Sequence, residues 1–320
     1  VGINALGSVV HGDMNGVQIT GLANLAGGTM RGVQLAGISN ISSDNTVGLS
    51  AAGLVNITGD KAQGVVISGL TSIGGDNNSG LMISGFMNVT GNMASGLHFS
   101  GIANITGQSF GGLMASGLLN VVGEHMNGLQ IAGIANITAS KLNGVQVALC
   151  NYATKARGLQ IGLVNYYKED MKGFQLGLVN ANPDTKVQMM VYGGNATPAN
   201  IGVRFKNQLF YTILGVGSMY QGLNNKFSAS ASYRAGLSFP LYKGLSISGD
   251  LGYQHIEAFD NKDEVIPKRL YALQARANLE YQFTRKFGIF ATGGYGLTRF
   301  YNKSSNYDKG AIIEAGIVLF

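Results

Sequence analysis

The sequence predicts an all-β chain: an N-terminal β-solenoid of 16-residue coils over residues 1–185, then a C-terminal eight-stranded antiparallel transmembrane β-barrel over 186–320. Three observations carry that expectation. A glycine-led phrase restarts every sixteen residues through the first half. Longer segments of strict alternation replace it in the second half. The composition is extreme, with 49 glycines, 4 prolines and no tryptophan in 320 residues.

Composition narrows the function classes before any motif is read. Charged residues make up only 12 %, about half the usual share, and 45 % of residues are hydrophobic, too many for a disordered chain. The glycines lack the every-third-residue period of collagen. The net charge of +6 divides unevenly: residues 1–150 hold three basic and five acidic side chains. The basic excess after residue 150 is scattered among aromatics, not gathered into a phosphate-binding stripe, which argues against nucleic acid. One cysteine, Cys150, excludes a disulfide framework and a thiolate metal site, and its repeat position predicts a small buried side chain. The chain starts in the middle of a repeat at Val1, as a processed or truncated N-terminus would.

The repeat restarts at Gly16, Gly32, Gly48, Gly64, Gly80, Gly96, Gly112, Gly128 and Gly144, then at Gly158 and Gly173 as the spacing shortens. A fixed period of this kind signals a repeat architecture. Counting the leading glycine as place 1, apolar residues recur at places 2, 4, 7 and 10, as in Leu97, Phe99, Ile102 and Ile105. These read as the core faces of strands four or five residues long. Glycines at places 1, 6 and often 12 suit sharp corners. Three corners per sixteen residues describe a coil stacked on the next by strand pairing. Calcium-binding β-roll units would need more aspartate, membrane strands would need ~9–11 residues per side, and no Gly-Lys-Ser/Thr tripeptide marks a phosphate loop.

Place 9 holds Asn24, Asn40, Asn56, Asn88, Asn104, Asn120 and Asn136, with Ser72 as the exception. Stacked amides can hydrogen-bond coil to coil, forming an internal ladder. Asn56, Asn88, Asn104 and Asn136 also begin N-x-T sequons, but glycosylation needs an exposed loop. Place 3 is read as outward. It carries Gln in early and late coils and switches to Val66, Met82, His98 and Met114 in the middle, with Val55, Met87 and Leu119 at place 8 on an adjacent face. These seven form an expected partner-binding stripe.

After residue 185 the alternation lengthens. LYALQARANLEYQF (270–283) sets Tyr271, Leu273, Ala275, Ala277, Leu279, Tyr281 and Phe283 against Gln274, Arg276, Asn278, Glu280 and Gln282. FSASASYRAGLSFPL (227–241) repeats the pattern. Ten or more residues with one apolar face and aromatic ends are the mark of an outer-membrane strand. Eight such segments are expected, at about 187–194, 200–207, 209–219, 227–241, 244–257, 270–283, 287–300 and 311–320. Glu314 is the awkward residue, on the face that Phe320 would share. Arg204, Lys206, Arg234, Asp250, Arg276 and Glu280 fall on the inward face and predict a mutually paired plug.

With these patterns and the terminal GIVLF, the second half resembles small eight-stranded bacterial outer-membrane barrels. The phrases GLQIGLVN and GFQLGLVN (158–165 and 173–180) resemble surface-repeat β-solenoid proteins of Gram-negative bacteria. The resemblance implies an outer-membrane location. Short turns face the periplasm, which places the entering solenoid on that side.

No catalytic constellation emerges. His11, His98, His125 and His255 are dispersed, Glu124–His125 reads as a solvated loop pair, and GGYGLTRF (293–300) half-matches a dinucleotide fingerprint within a strand. No cofactor, metal, nucleic acid or small-molecule substrate is expected. The expected function is non-enzymatic: a barrel anchored in outer-membrane lipid carries a rigid periplasmic solenoid, which docks or spaces other envelope proteins of an assembly or secretion complex. The alternatives are an extracellular adhesin or surface-layer solenoid, and a barrel that handles small solutes or ions.

Overall fold

The computed structural model describes residues 1–223, 227–259, 269–302 and 305–319. The chain falls into two compact units, Val1–Gly177 and Leu178–Phe320. The division precedes residue 185 because Leu178 is already tied to a barrel strand, its carbonyl accepting from the Thr212 hydroxyl at 3.0 Å.

The first unit is a parallel β-solenoid. Through residue 132 a coil contributes a longer strand bent at its leading glycine, such as Asn77–Ser84, and a four-residue strand, such as Met87–Thr90; after that the two merge into strands such as Ala135–Val147. Strands pair in parallel one coil apart, so that Gly80 lies against Gly96 and Asn88 against Asn104. The pairing distance falls to fifteen residues at Asn136–Asn151 and fourteen at Asn151–Asn165, as the shortened spacing predicts. The bend requires glycine: Gly64 has φ of +120°, and a Cβ there would overlap the carbonyl oxygen of Gly48 in the preceding coil. Corner N–H groups are paired from coil to coil. Leu70 N–H donates to Leu54 O at 2.9 Å, and Phe86 N–H to Leu70 O at 2.8 Å.

The solenoid is inside-out relative to the core expected from its sequence. The apolar places 2, 4, 7 and 10 face outward, with Leu70 and Phe86 at 47 % and 44 % exposure. The bore is lined instead by places 3, 5, 9, 11 and 15, where Gln34, Asn104, Asn136 and Gln146 are all fully buried. The reason is parity. On a four-residue side, place 9 and place 10 must point to opposite faces. An internal Asn ladder therefore forces its apolar neighbour out.

The second unit is a closed barrel of eight antiparallel strands, Lys186–Gly194, Ala199–Asn207, Phe210–Ser218, Ser228–Tyr242, Leu245–Ala258, Arg269–Thr284, Phe287–Phe300 and Asn306–Leu319. The last closes on the first, with Met189 against Leu319 and Gly194 against Glu314. Connections 208–209, 243–244 and 285–286 are tight turns at one end, and the longer connections lie at the other. Lys186 and Leu319 lie at the tight-turn end. Side chains divide as the alternation predicts: Leu251, Leu273, Leu279 and Phe283 point outward, while Gln274, Arg276, Asn278 and Glu280 are buried. Phe320 lies outside the described residues. Among the described residues no helix is long and apolar enough to cross a membrane, which says nothing about crossing by strands.

Candidate functional site

Six charged side chains, Arg204, Arg234, Asp250, Arg276, Glu280 and Glu314, are buried in the barrel interior. Arg204 holds Glu280 through both guanidinium nitrogens, at 2.6 and 2.9 Å, while its Nε donates to Gln188 Oε1 at 2.7 Å. Arg234 grips Asp250 with two bonds of 2.8 Å. Tyr211 and Asn278 both donate to the second oxygen of Asp250, at 2.7 and 2.8 Å. Arg276 pairs with Glu314 at 3.1 Å through Nε and Nη2, and Arg234 Nη1 lies 3.7 Å from the same carboxylate. Lys206 does not join an ion pair among these; its Nζ donates to Ser238 Oγ at 2.8 Å.

Five of the six inward charges expected from sequence are therefore paired within the bore. The carboxylate that completes the set, Glu314, is 3 % exposed and points inward. The inward parity of the last strand is set by Ile312, Glu314 and Val318, all buried. Glu314 is awkward only if the terminal aromatic fixes the outward face. The signal that could have placed it was charge balance, because three arginines with two carboxylates leave the plug one acid short. Three bidentate arginine–carboxylate pairs fix side chains across the bore. An eight-stranded barrel leaves space for little else. At the long-loop end a cavity of about 470 Å³ opens among Tyr220, Gln274, Thr298 and Ile312, which the sequence did not signal.

The solenoid bore holds two files of amides. Asn88 donates to Asn104 Oδ1 at 2.8 Å, Asn104 to Asn120 at 2.9 Å, Asn120 to Asn136 at 3.0 Å and Asn136 to Asn151 at 3.1 Å. Each also caps a backbone carbonyl, as Asn104 does for Ala115 O at 2.8 Å. Asn24, Asn40 and Asn56 form the same file in the early coils. At the Ser72 exception, Ser68 and Ser84 hydroxyls fill the gap, with Ser84 Oγ reaching Asn88 Oδ1 at 2.6 Å. A second file runs through place 3, where Gln146 donates to Gln130, Gln160 to Gln146 and Gln175 to Gln160, each at 2.8 Å.

The expected partner stripe is overturned at place 3. Val66, Met82, His98 and Met114 are 4 %, 3 %, 1 % and 0 % exposed, and they line the bore. There they pack with small or apolar residues of place 15: Val66 and Met82 with Ala62, and Met114 with Ala94, Phe110 and Met126. The switch away from glutamine is thus core packing. Val55, Met87 and Leu119 at place 8 do face outward, half-buried, on the outer wall. His98 stacks edge-on against Phe110, with centroids 5.0 Å apart. Burial in this apolar stretch pushes its pKa down to about 4, and Nε2 has no partner. Cys150 also departs from expectation: it is exposed, because it pairs with Ala135 at the outward place 8 of the preceding coil. Among the described residues, no three His, Cys, Asp or Glu side chains converge as metal ligands would.

No protein-family model matches the chain, and no curated protein matches it. Among solved structures it is similar to the N-terminal β-barrel domain of OprF from Pseudomonas aeruginosa. The identity is 17 % and the TM-score 0.28, over 42 % of this chain and 93 % of that one.

Proposed function

We propose that the chain is a non-enzymatic outer-membrane protein whose barrel is an anchor, and whose solenoid is a rigid periplasmic element that spaces or docks subunits of an envelope complex. The observation that carries the anchor reading is the barrel's inverted polarity. Its outer wall is apolar, with Leu251 at 71 % exposure, while its bore is packed with arginine–carboxylate pairs. A soluble barrel would reverse that arrangement. A bore whose charges neutralise one another has little use as a conduit.

Chain direction supports the periplasmic side. Lys186, where the barrel begins, is at the end that carries the tight turns 208–209, 243–244 and 285–286. Such turns face the periplasm in outer-membrane barrels, so residues 1–177 enter from that side. The test is impermeant maleimide labelling of intact cells in a Cys150→Ser background, with one cysteine at Asn302, Lys286 or Glu124. All three positions are exposed. The proposal requires position 302 to label on whole cells, and 286 and 124 only after the outer membrane is opened. Labelling of 124 on whole cells would put the solenoid outside and favour an adhesin. Failure of 302 to label on whole cells would overturn the outer-membrane topology.

A further inference from the structure

The outward places 2, 4, 7, 8 and 10 make one continuous surface over two sides of the solenoid and the corner between them. In the eight coils that begin at Gly16 through Gly128 these are forty positions, five in each coil. None is charged, and only Ser39 and Thr71 are polar. Every charged residue between 12 and 143 falls on the third side, at places 12–16, as Asp44, Asp60, Lys61 and Glu124 do. At ~4.8 Å per coil and ~3.3 Å per residue the surface is roughly 38 Å long and 30 Å around, about 1,100 Å², where the largest apolar patch of a soluble monomer is ~300–600 Å².

Three features decide what covers it. The hot spots of protein interfaces are mostly tryptophan, tyrosine and arginine, and none of the forty positions holds one, although Phe86, Met87 and Phe99 are among them. The rows are instead near-uniform Leu, Ile and Val, with nothing to fix the register of a partner. The outer wall of the barrel in the same chain has the same aliphatic character, as at Leu251, Leu273 and Ile289. The corner N–H groups beneath the surface are paired coil to coil, as where Leu118 N–H donates to Ile102 O and Ile134 N–H to Leu118 O, both at 3.0 Å. Contact with hydrocarbon demands paired amides of this kind.

We propose that the solenoid is a lipid-embedded element: its apolar ridge lies among the acyl chains of one leaflet, and its charged third side faces water. The arrangement is that of an interfacial amphipathic helix, built from stacked β-coils. It rests on the membrane reading of the barrel, and the experiment separates the two.

Cys150 continues the ridge into the next coil, pairing with Ala135 of place 8, and is exposed, so the native chain carries its own probe. The full-length protein, labelled there with bimane, is reconstituted into phosphatidylethanolamine–phosphatidylglycerol vesicles with brominated acyl chains. Two references are made in a Cys150→Ser background, Leu251→Cys on the barrel wall and Asn127→Cys on the charged side. The proposal requires the label at 150 to lose most of its emission to brominated lipid, as that at 251 does, and to resist aqueous iodide; the label at 127 does the reverse. Quenching at 251 but not at 150, with iodide reaching 150, would overturn the proposal and leave the barrel anchor standing. Protection of 150 from both quenchers with a doubled particle mass would overturn it in favour of a second copy as the cover. No quenching at 251 would sink the membrane reading itself.

Discussion

The Asn ladder gives the sharpest perturbation. Asn104 is fully buried and joins three neighbours: it donates to Ala115 O and Asn120 Oδ1 and accepts from Asn88 Nδ2. Asn104→Ala leaves the Asn120 oxygen and the Ala115 carbonyl short of a donor and Asn88 short of an acceptor, with Asn88 and Asn120 both buried. Each orphaned buried group costs about 1–3 kcal/mol, and Asn88 keeps its second bond to Phe99 O, so the sum is about 4 kcal/mol. Hydrogen exchange read by mass spectrometry on the full chain in detergent micelles measures this locally. Peptides covering 99–120 should exchange about a thousandfold faster, since 1.4 kcal/mol is a factor of ten, and barrel peptides should not change. Asn104→Ser, which copies the natural substitution at Ser72, should lose clearly less. An acceleration under about threefold in the alanine variant, less than ~1 kcal/mol, would refute the ladder as a source of stability and mean that the bore is wet.

Three further outcomes follow from the same structure. Gly64→Ala sets a Cβ against the Gly48 carbonyl at a φ of +120° and should cost roughly 2–4 kcal/mol, visible as protease cleavage confined to the solenoid. Arg204→Met strands the buried Glu280 carboxylate and should cost about 3–5 kcal/mol, whereas Arg204→Met with Glu280→Leu should recover most of it; urea titration of the gel-mobility shift between folded and unfolded barrel reads both. His98 has a folded pKa of about 4, below its unfolded value of 6.5, so the unfolded chain binds more protons between those limits. Its contribution is intact above pH ~6.5 and lost as the pH falls toward 4, by roughly 2–3 kcal/mol at pH 4.5. Local exchange at pH 7.5 and 4.5 should show that loss in the native chain and not in His98→Met.

Much of this architecture was legible without coordinates, because period-2 and period-16 patterns are properties of local geometry. Strand ends in the barrel fell within a few residues of their expected places, and the Asn residues of place 9 stack as their spacing implies. What alternation cannot give is the sign of a face. It groups Leu97, Phe99 and His98 into two sets and is silent on which set is inside, and the habit that apolar means buried chose wrongly for the solenoid. The same parity misread Cys150 and turned a core run, Val66 to Met114, into a surface stripe. Pairings such as Arg204 with Glu280 depend on how eight strands close and stagger. No local pattern in a single sequence reports a contact between residues 76 apart.

The two amide files in the solenoid bore run in opposite senses. Each Asn of the place-9 file passes its N–H to the coil that follows, from Asn88 through to Asn165. Each Gln of the place-3 file passes its N–H to the coil that precedes, from Gln175 back to Gln130. Aligned bond dipoles add along a file as peptide dipoles add along a helix, so either file alone would build opposite partial charges at the two ends of the stack. Side by side and antiparallel, they largely cancel where they overlap. Coils can therefore be added there without raising an electrostatic potential along the axis, and the length of the stack is set by the number of repeats and not by the field they create.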